Sequence, residues 1–374
     1  MSPEVLRSWV EVNVDALQQN ARALRSLCAQ GTSFMGVVKA DAYGHGIEQA
    51  VPALAPLVDW FGVANLAEAR QVSVLAEQKP VMILGTALPS EWSGIRAGGF
   101  VPVISSMEEA RGFASPRGEP PFGVHLAVDT GMGRIGVWEA DALTLAREIR
   151  SLSGLALLGV GSHFPAADED DAFTVKQTAR FAALAGELRA EGLVRGPAHI
   201  ANSAGLISHP EAAGDLCRAG LALYGVSPVA RFCDELRPVL TWKARISLVR
   251  EVGAGRGISY GRTFITPHAM RVATLSVGYA DGFQRHLSHQ GAGVLIEGRL
   301  CPLLGRVTMD QILVDVSECR GAVPGGEAVL LGAQGEGRIS AGQLSQWAGT
   351  IPWEIFTGIG RRVARLAVRD VSLL

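Results

Sequence analysis

A single lysine stands where an amine could act as a nucleophile. The string Val37-Val38-Lys39-Ala40-Asp41-Ala42-Tyr43-Gly44-His45-Gly46 puts Lys39 at the end of an apolar run, and burial there favours the neutral amine. A neutral lysine can form a Schiff base with an aldehyde cofactor, although a lysine taken alone more often caps a strand and points to solvent. Four residues on, Tyr43 lies in a glycine-containing turn from which its hydroxyl could reach a phosphate oxygen. Further along, Asp129-Thr130-Gly131-Met132-Gly133-Arg134-Ile135-Gly136 contains a formal GxGxxG after a strand. A dinucleotide site needs an acidic residue about twenty positions later, at the end of the next strand. Ser151 to Ser162 holds none, so that reading is rejected. His163 ends one apolar run, and Asn202 with Ser203 ends another; a lone strand-end histidine is more often a satisfied hydrogen-bonder than a catalyst. Arg218, in Cys217-Arg218-Ala219-Gly220-Leu221, adds a permanent cation, and Tyr260, in Gly257-Ile258-Ser259-Tyr260-Gly261-Arg262-Thr263, adds a phenol. Phenols ordinarily ionise near ~10 and need neighbouring cations to act as bases.

Repeated elements must hold these groups. From about Ser33 to Val226, short apolar runs alternate with helical stretches, the pattern of β/α units around a parallel sheet. Eight strands are expected: Phe34 to Lys39, Trp60 to Ala64, Val81 to Gly85, Phe100 to Ile104, Val124 to Asp129, Leu157 to His163, Ala198 to Asn202 and Cys217 to Tyr224. Eight in this length predict an α/β fold of the (β/α)8 TIM-barrel type, with chemistry where the strands end. Glu68, Ala69, Val72 and Leu75 show helical spacing, and Val175 to Leu193 is a long Ala/Leu-rich run. After Arg231 the chain changes to β-branched segments broken by Gly and Pro: Ala244 to Val252, Arg271 to Val277, Gly293 to Ile296 and Ala328 to Leu331. A helix at Ser340 to Gln346 and a strand at Val363 to Val368 complete a mostly-β C-terminal domain. The expected division is 1–235 and 236–374, and without a low-complexity linker the two domains are expected to pack together.

The string around Lys39 resembles the cofactor-lysine motif of alanine racemases, and from that point the resemblance covers the whole chain. It implies pyridoxal 5'-phosphate anchored on Lys39, with Lys39 as the base that acts on D-alanine and Tyr260 as the base that acts on L-alanine from the opposite face. The DTGMGR string is similar to the motif whose arginine reaches the substrate carboxylate and the cofactor's phenolic oxygen, here Arg134, a task suited to a planar charged fork. Asn202 and Ser203 match positions lining the cofactor pocket, Ser203 at the phosphate, assisted by backbone amides of Gly220 and Leu221. Arg218 matches the arginine facing the pyridine nitrogen. A guanidinium that keeps its proton leaves that nitrogen unprotonated and the ring a weaker electron sink, which limits transamination and other side reactions. His163 matches the imidazole that links Tyr260 to Arg218. The strings around Gly278-Tyr279-Ala280-Asp281 and Gly305 to Gln311 resemble motifs that shape the substrate entrance, with Met309 at the substrate carboxylate. These residues and Tyr260 come from the second subunit in that family, so a head-to-tail homodimer with composite active sites is implied. The implied activity is an isomerase supplying D-alanine for bacterial peptidoglycan.

Two positions depart from the family pattern. Ala127 stands where many members carry a carbamylated lysine that steadies the substrate arginine. Trp353 stands where a tyrosine normally lies near the phosphate, and an indole N–H cannot replace a phenolic hydroxyl. Serine-type or broad-specificity racemases therefore stay open, as does a barrel-type pyridoxal phosphate decarboxylase, which would place an acidic residue at the ring nitrogen. With a net charge of -2 and 19% charged residues, the chain offers no cationic surface for nucleic acid or anionic lipid. Five cysteines without CxxC spacing argue against a zinc ribbon or disulfide framework and suit reduced thiols in a cytoplasm. Met1 to Val14 shows no targeting or membrane signal. The run Asp168 to Asp171 reads as a helix cap rather than a metal site, and no metal is expected.

Overall fold

The computed structural model describes residues 6–370; the first five, part of the stretch read for targeting signals, and the last four lie outside them. The chain forms two compact units, one of 16–42 with 50–237, the other of 1–15, 43–49 and 238–374.

The first unit is a parallel barrel. Its strands are β1 (Ser33–Val37), β2 (Trp60–Val63), β3 (Val81–Ile83), β4 (Val101–Ile104), β5 (Phe122–Asp129), β6 (Leu155–Gly161), β7 (Ala198–His199) and β8 (Leu216–Ala219). They are ordered β8-β1-β2-β3-β4-β5-β6-β7. The ring closes between β7 and β8, where the Asp215 and Arg218 amides donate to the Ala198 and Ala201 carbonyls, both at 3.1 Å. Strands covered on both faces read as continuous apolar runs, and Phe34, Met35, Phe61, Met82 and Ile83 are fully buried accordingly. The helix Leu66–Leu75 starts at Asn65, whose side chain accepts from the Glu68 amide, and buries Leu66, Ala69 and Val72. The helix Asp171–Ala190 is capped by Asp170, which accepts from Phe173 N–H at 2.9 Å, the role expected of that acidic run.

β4 and β5 end where the apolar runs suggest, at Ile104 and Asp129, and the other six barrel strands stop earlier. β6 ends before His163 and β7 before Asn202 because the chain leaves the ladder at the rim. There the Asn202 side chain accepts from Gly205 N–H at 2.9 Å and starts the helix Ser203–Ser208. Leu221–Tyr224 forms a 3-10 turn instead of extending β8.

The second unit is built on the long strand β9 (Leu240–Val252). It pairs antiparallel with Ser8–Asn13, with β10 (Met270–Leu275) and with Glu327–Gln334, while Ala364–Val368 runs parallel to Ser8–Asn13. A boundary placed at 235/236 takes no account of that N-terminal strand. Its sequence SWVEVN puts Trp9 into this unit's core, where Trp242 is also buried and donates its indole N–H to Ser8 Oγ at 2.9 Å. Among the described residues no helix is long and apolar enough to cross a membrane.

Candidate active site

Lys39 lies two residues beyond the end of β1, and the chain then takes an unusual turn. Ala40, Asp41, Ala42 and Tyr43 all have φ of +53° to +54°, a left-handed run that costs roughly 1–2 kcal/mol per residue for side chains with a Cβ. The Glu68 carboxylate helps to hold it: Oε1 accepts from Ala40 N–H at 2.9 Å and Oε2 from Ala64 N–H, at the end of β2, at 2.8 Å. Lys39 is half-buried. Burial first, then the Arg134 guanidinium, holds its amine below the usual lysine range; Glu68 acts against this and Arg218 with it. Strain of this kind is retained where surrounding contacts over-determine it. Tyr43 is buried, which pushes its hydroxyl up to about 12 and keeps it a donor; by contacts it belongs to the second unit.

The loop after β5 is organised by Asp129. Its carboxylate accepts from the amides of Gly131 at 2.8 Å, Met132 at 2.9 Å and Arg134 at 3.0 Å; burial acts to raise its pKa, but together these bonds hold it below the usual carboxylate range. Thr130 Oγ1 lies 2.7 Å from Ser162 Oγ, and Gln177 Nε2 ties Thr130 Oγ1 at 2.8 Å to the His163 carbonyl at 3.0 Å. The GxGxxG string is therefore a carboxylate-bound loop that presents the exposed Arg134.

Arg218 lies at the centre of the site's electrostatics. Its guanidinium is buried, and every acceptor around it is neutral: His199 Nδ1 at 2.5 Å, Ser162 O at 2.8 Å, His163 Nδ1 at 3.0 Å and Ile200 O at 3.0 Å. Burial brings its pKa down to about 10, so it remains a cation near neutrality. Since a guanidinium only donates, both imidazoles must present bare Nδ1 atoms. Burial, then the cations Arg218, Arg134 and Lys39, pushes His163 down to about 3. Lys39, Arg134, His163 and Arg218 thus act on one another in one cluster.

At the neighbouring rim, Ser203 Oγ accepts from Gly220 N–H at 2.8 Å and from Ala222 N–H at 3.4 Å. The Gly220 amide is therefore engaged, while Leu221 opens a 3-10 turn, where first amides have no partner within the turn. A cavity of about 460 Å³ lined by Ser33, Trp60, Pro197 and Asp215 opens at the other ends of the strands, the face of a barrel that serves stability rather than chemistry.

The second unit carries Tyr260, Met309 and Trp353. Tyr260 is 70% exposed, in a turn whose neighbours Ser259 and Gly261 have positive φ. That turn is pinned by Ser259 Oγ donating to Arg306 O at 2.6 Å. Met309, also exposed, sits in a loop tied to the 278–281 turn by the Tyr279 and Ala280 amides donating to Thr308 O and Met309 O, both at 3.0 Å. Arg362 braces the same loops, contacting Asp281 and Asp310 at 2.6 Å each. Trp353 is half-buried in the helix Pro352–Thr357.

Three polar residues escaped the reading of motifs: Glu68, His125 and His199. Glu68 reads as one more helical position until its carboxylate is seen bridging two strand ends. His125 and His199 are fully or almost fully buried, with His125 Nδ1 3.0 Å from His199 Nε2. The signal that could have found them is the GVG of β6: Gly159 is the cross-strand partner of His125, and Gly161 of His199.

Comparison with known families and proteins places this arrangement. The family model for the alanine racemase N-terminal domain matches residues 12–228, and that for the alanine racemase C-terminal domain matches 239–367. A relative from Symbiobacterium thermophilum named alanine racemase is 40% identical over 366 residues, 96% of each chain. One of the same name from Carboxydothermus hydrogenoformans is 41% identical over 96% of this chain and 99% of its own. A solved alanine racemase from Clostridium difficile 630 superposes with a TM-score of 0.92 at 30% identity, covering 98% of this chain and 97% of the other.

Proposed function

Because the chain belongs to the alanine racemase family, we propose that it interconverts L- and D-alanine with Lys39 and Tyr260 as the two bases, using pyridoxal 5'-phosphate. The observation that carries this reading is Arg218, a buried cation among neutral acceptors. A decarboxylase of the same architecture would call for a carboxylate there.

The residues present fit the cofactor. Lys39 offers an amine held below the ordinary lysine range by burial and cations, the state needed to bond an aldehyde carbon. Tyr43, Asn202, Ser203, the Leu221 amide and Trp353 would hold its phosphate end, while the Gly220 amide, expected from the resemblance to assist, is taken up by Ser203 Oγ and would act through that hydroxyl. When bound, the cofactor supplies an electron sink that lowers the cost of negative charge at the substrate α-carbon. Arg218 would set a fixed positive charge towards the ring nitrogen without giving up its proton, which would keep the sink weak and side reactions slow. Arg134 and Met309 orient the substrate carboxylate.

Inversion needs proton removal from one face and return from the other. The Lys39 amine takes the α-proton of D-alanine while the Tyr260 hydroxyl gives one to the opposite face, and reversing direction exchanges the roles. His163, with Nδ1 occupied by Arg218, is left with Nε2–H as its donor towards the phenolic oxygen of Tyr260. The exposure of Tyr260 and Met309 on one braced group of loops supports a homodimer in which those loops complete the site of the partner subunit. The five cysteines without CxxC spacing support a reducing, cytoplasmic location, where D-alanine would supply peptidoglycan synthesis.

The test offers each L-amino acid to the purified holoenzyme in heavy water and follows D-enantiomer and α-deuterium. Alanine inverting faster than serine is expected. Release of carbon dioxide would replace the reading with a decarboxylase, and exchange without inversion would remove Tyr260 from its role.

A further inference from the structure

The geometry points to His125 as a positioning residue for the cofactor ring: through a two-imidazole chain it fixes which nitrogen of His199 faces Arg218, and so holds the guanidinium in place. This inference rests on the proposed placement of Arg218 at the ring nitrogen.

The chain runs across one strand. His125 on β5 and His199 on β7 flank β6, each opposite a glycine, Gly159 and Gly161. A Cβ on Gly159 would overlap the His125 ring, and one on Gly161 the His199 ring. The glycines therefore open the room in which the two rings meet over the strand. Their donors and acceptors leave one consistent assignment. Arg218 Nη1 donates to His199 Nδ1 at 2.5 Å, so the neutral His199 carries its proton on Nε2. That N–H donates to His125 Nδ1 at 3.0 Å, so His125 in turn carries its proton on Nε2. Among the described residues Nε2 of His125 has no hydrogen-bond partner, and the ring meets Trp60 edge-on, with centroids 6.1 Å apart at 66°.

A chain that ends on an unpaired buried donor serves poorly as a stability device, because an unmet buried polar group is costly. It serves well as a lock. If His125 did not offer a bare Nδ1, the proton on His199 Nε2 would be left buried without an acceptor, and the bond from Arg218 alone would have to hold that tautomer. The other tautomer would put an N–H against Arg218 and displace the guanidinium from its acceptors.

Three measurements on the holoenzyme test this. In the wild type, 15N signals of the imidazoles should show both His125 and His199 neutral with the proton on Nε2; a proton on Nδ1 of either ring overturns the inference without any variant. His125→Phe keeps a ring but removes the acceptor. It should move the His199 nitrogen signals, weaken pyridoxal phosphate binding about tenfold, the change matching one buried hydrogen bond, shift the bound cofactor's absorption and lower kcat more than KM. His125→Asn, whose Oδ1 can take the place of Nδ1, should restore all four to within about twofold. An Asn variant that behaves like the Phe variant overturns the inference. If the His199 signals fail to respond in the Phe variant, the lock is refuted and the placement of Arg218 stands. If those signals respond but cofactor affinity and absorption do not, the inference falls because Arg218 is not at the ring, and that part of the proposed function falls with it.

Discussion

Lowering the pH should unfold this protein in part through His125, and the size of the effect can be worked out. The side chain has no exposed surface. Burial, with the charge of Arg218 as the second cause, pushes its imidazole from the ordinary value near ~6.5 down to about 4. The unfolded chain takes up a proton below ~6.5, whereas the folded one does not until about pH 4. The stabilising contribution of the neutral ring is therefore complete above ~6.5 and is lost as the pH falls through that window. At ~1.4 kcal/mol per pKa unit the loss across it is about 3 kcal/mol, or roughly 1 kcal/mol per pH unit in the middle.

Other groups titrate in the same range. His163 is held down by burial and by Arg218, Arg134 and Lys39, and His199 by burial, Arg218 and its two histidine neighbours. The informative quantity is thus a difference between two proteins. His125→Asn removes one titrating site and keeps an acceptor towards His199. Denaturant unfolding of wild type and variant, followed by circular dichroism at several pH values, gives the stability gap between them. Whatever its size near neutral pH, the gap should shift against the wild type by about 3 kcal/mol on reaching about pH 4. A gap that stays constant across the window would refute the claim that His125 is buried neutral, and with it the direction of the Arg218–His199–His125 chain.

Asp129→Asn keeps one oxygen for the Gly131 and Met132 amides, now as neutral bonds, and sets an NH2 that cannot accept against the Arg134 amide; KM for alanine should rise roughly tenfold with a smaller fall in kcat, and an unchanged KM would separate the loop from substrate binding. Ala127→Lys restores the side chain that the family pattern carries at this buried position and should lower KM for alanine several-fold, up to about tenfold; steady-state kinetics showing no response would count against a weakened hold on the carboxylate. Arg362→Ala removes the brace between Asp281 and Asp310. Its racemase activity should fall on dilution and recover at high protein concentration, in step with dimer content measured by sedimentation; activity lost equally at every concentration would refute the assignment of these loops to the subunit interface.

The barrel was legible because its strands are buried on both faces, and continuous apolar runs such as Phe34 to Val38 survive any error of register. The rim was less legible. Asn202 and Tyr224 lie at the ends of runs whose apolar character continues beyond the last ladder bond, and only the capping of Ser203–Ser208 and the 3-10 turn of Leu221–Tyr224 show where each strand stops. The turn after Lys39 was not legible. Gly44 and Gly46 announce a turn, but nothing in Ala40-Asp41-Ala42-Tyr43 favours four successive positive φ angles, which depend on contacts such as those of Glu68. The N-terminal strand was overlooked for a different reason. Ser8–Asn13 is short, and its partners, Leu240–Val252 and Ala364–Val368, lie over two hundred residues away in sequence.

The imidazole pair shows why polar groups inside a barrel escape periodicity while still leaving a trace. A histidine within HLAVD or AHIAN reads as a blemish in an apolar strand, and a glycine in LLGVG as a weak spot in another. Register turns the two blemishes into one feature, since each glycine is the neighbour that lets one ring lie across the strand. Arg218 completes the argument. A guanidinium buried with only neutral acceptors stabilises the barrel less than an ion pair with further hydrogen bonds would, and an apolar core of the same volume is often no worse than either. Local consistency would therefore remove it. A sequence that keeps such a cation, surrounds it with two deprotonated imidazole nitrogens and gives up two strand positions to glycine is organised around the charge itself, and the place to look for its use is the ring that Lys39 would anchor beside it.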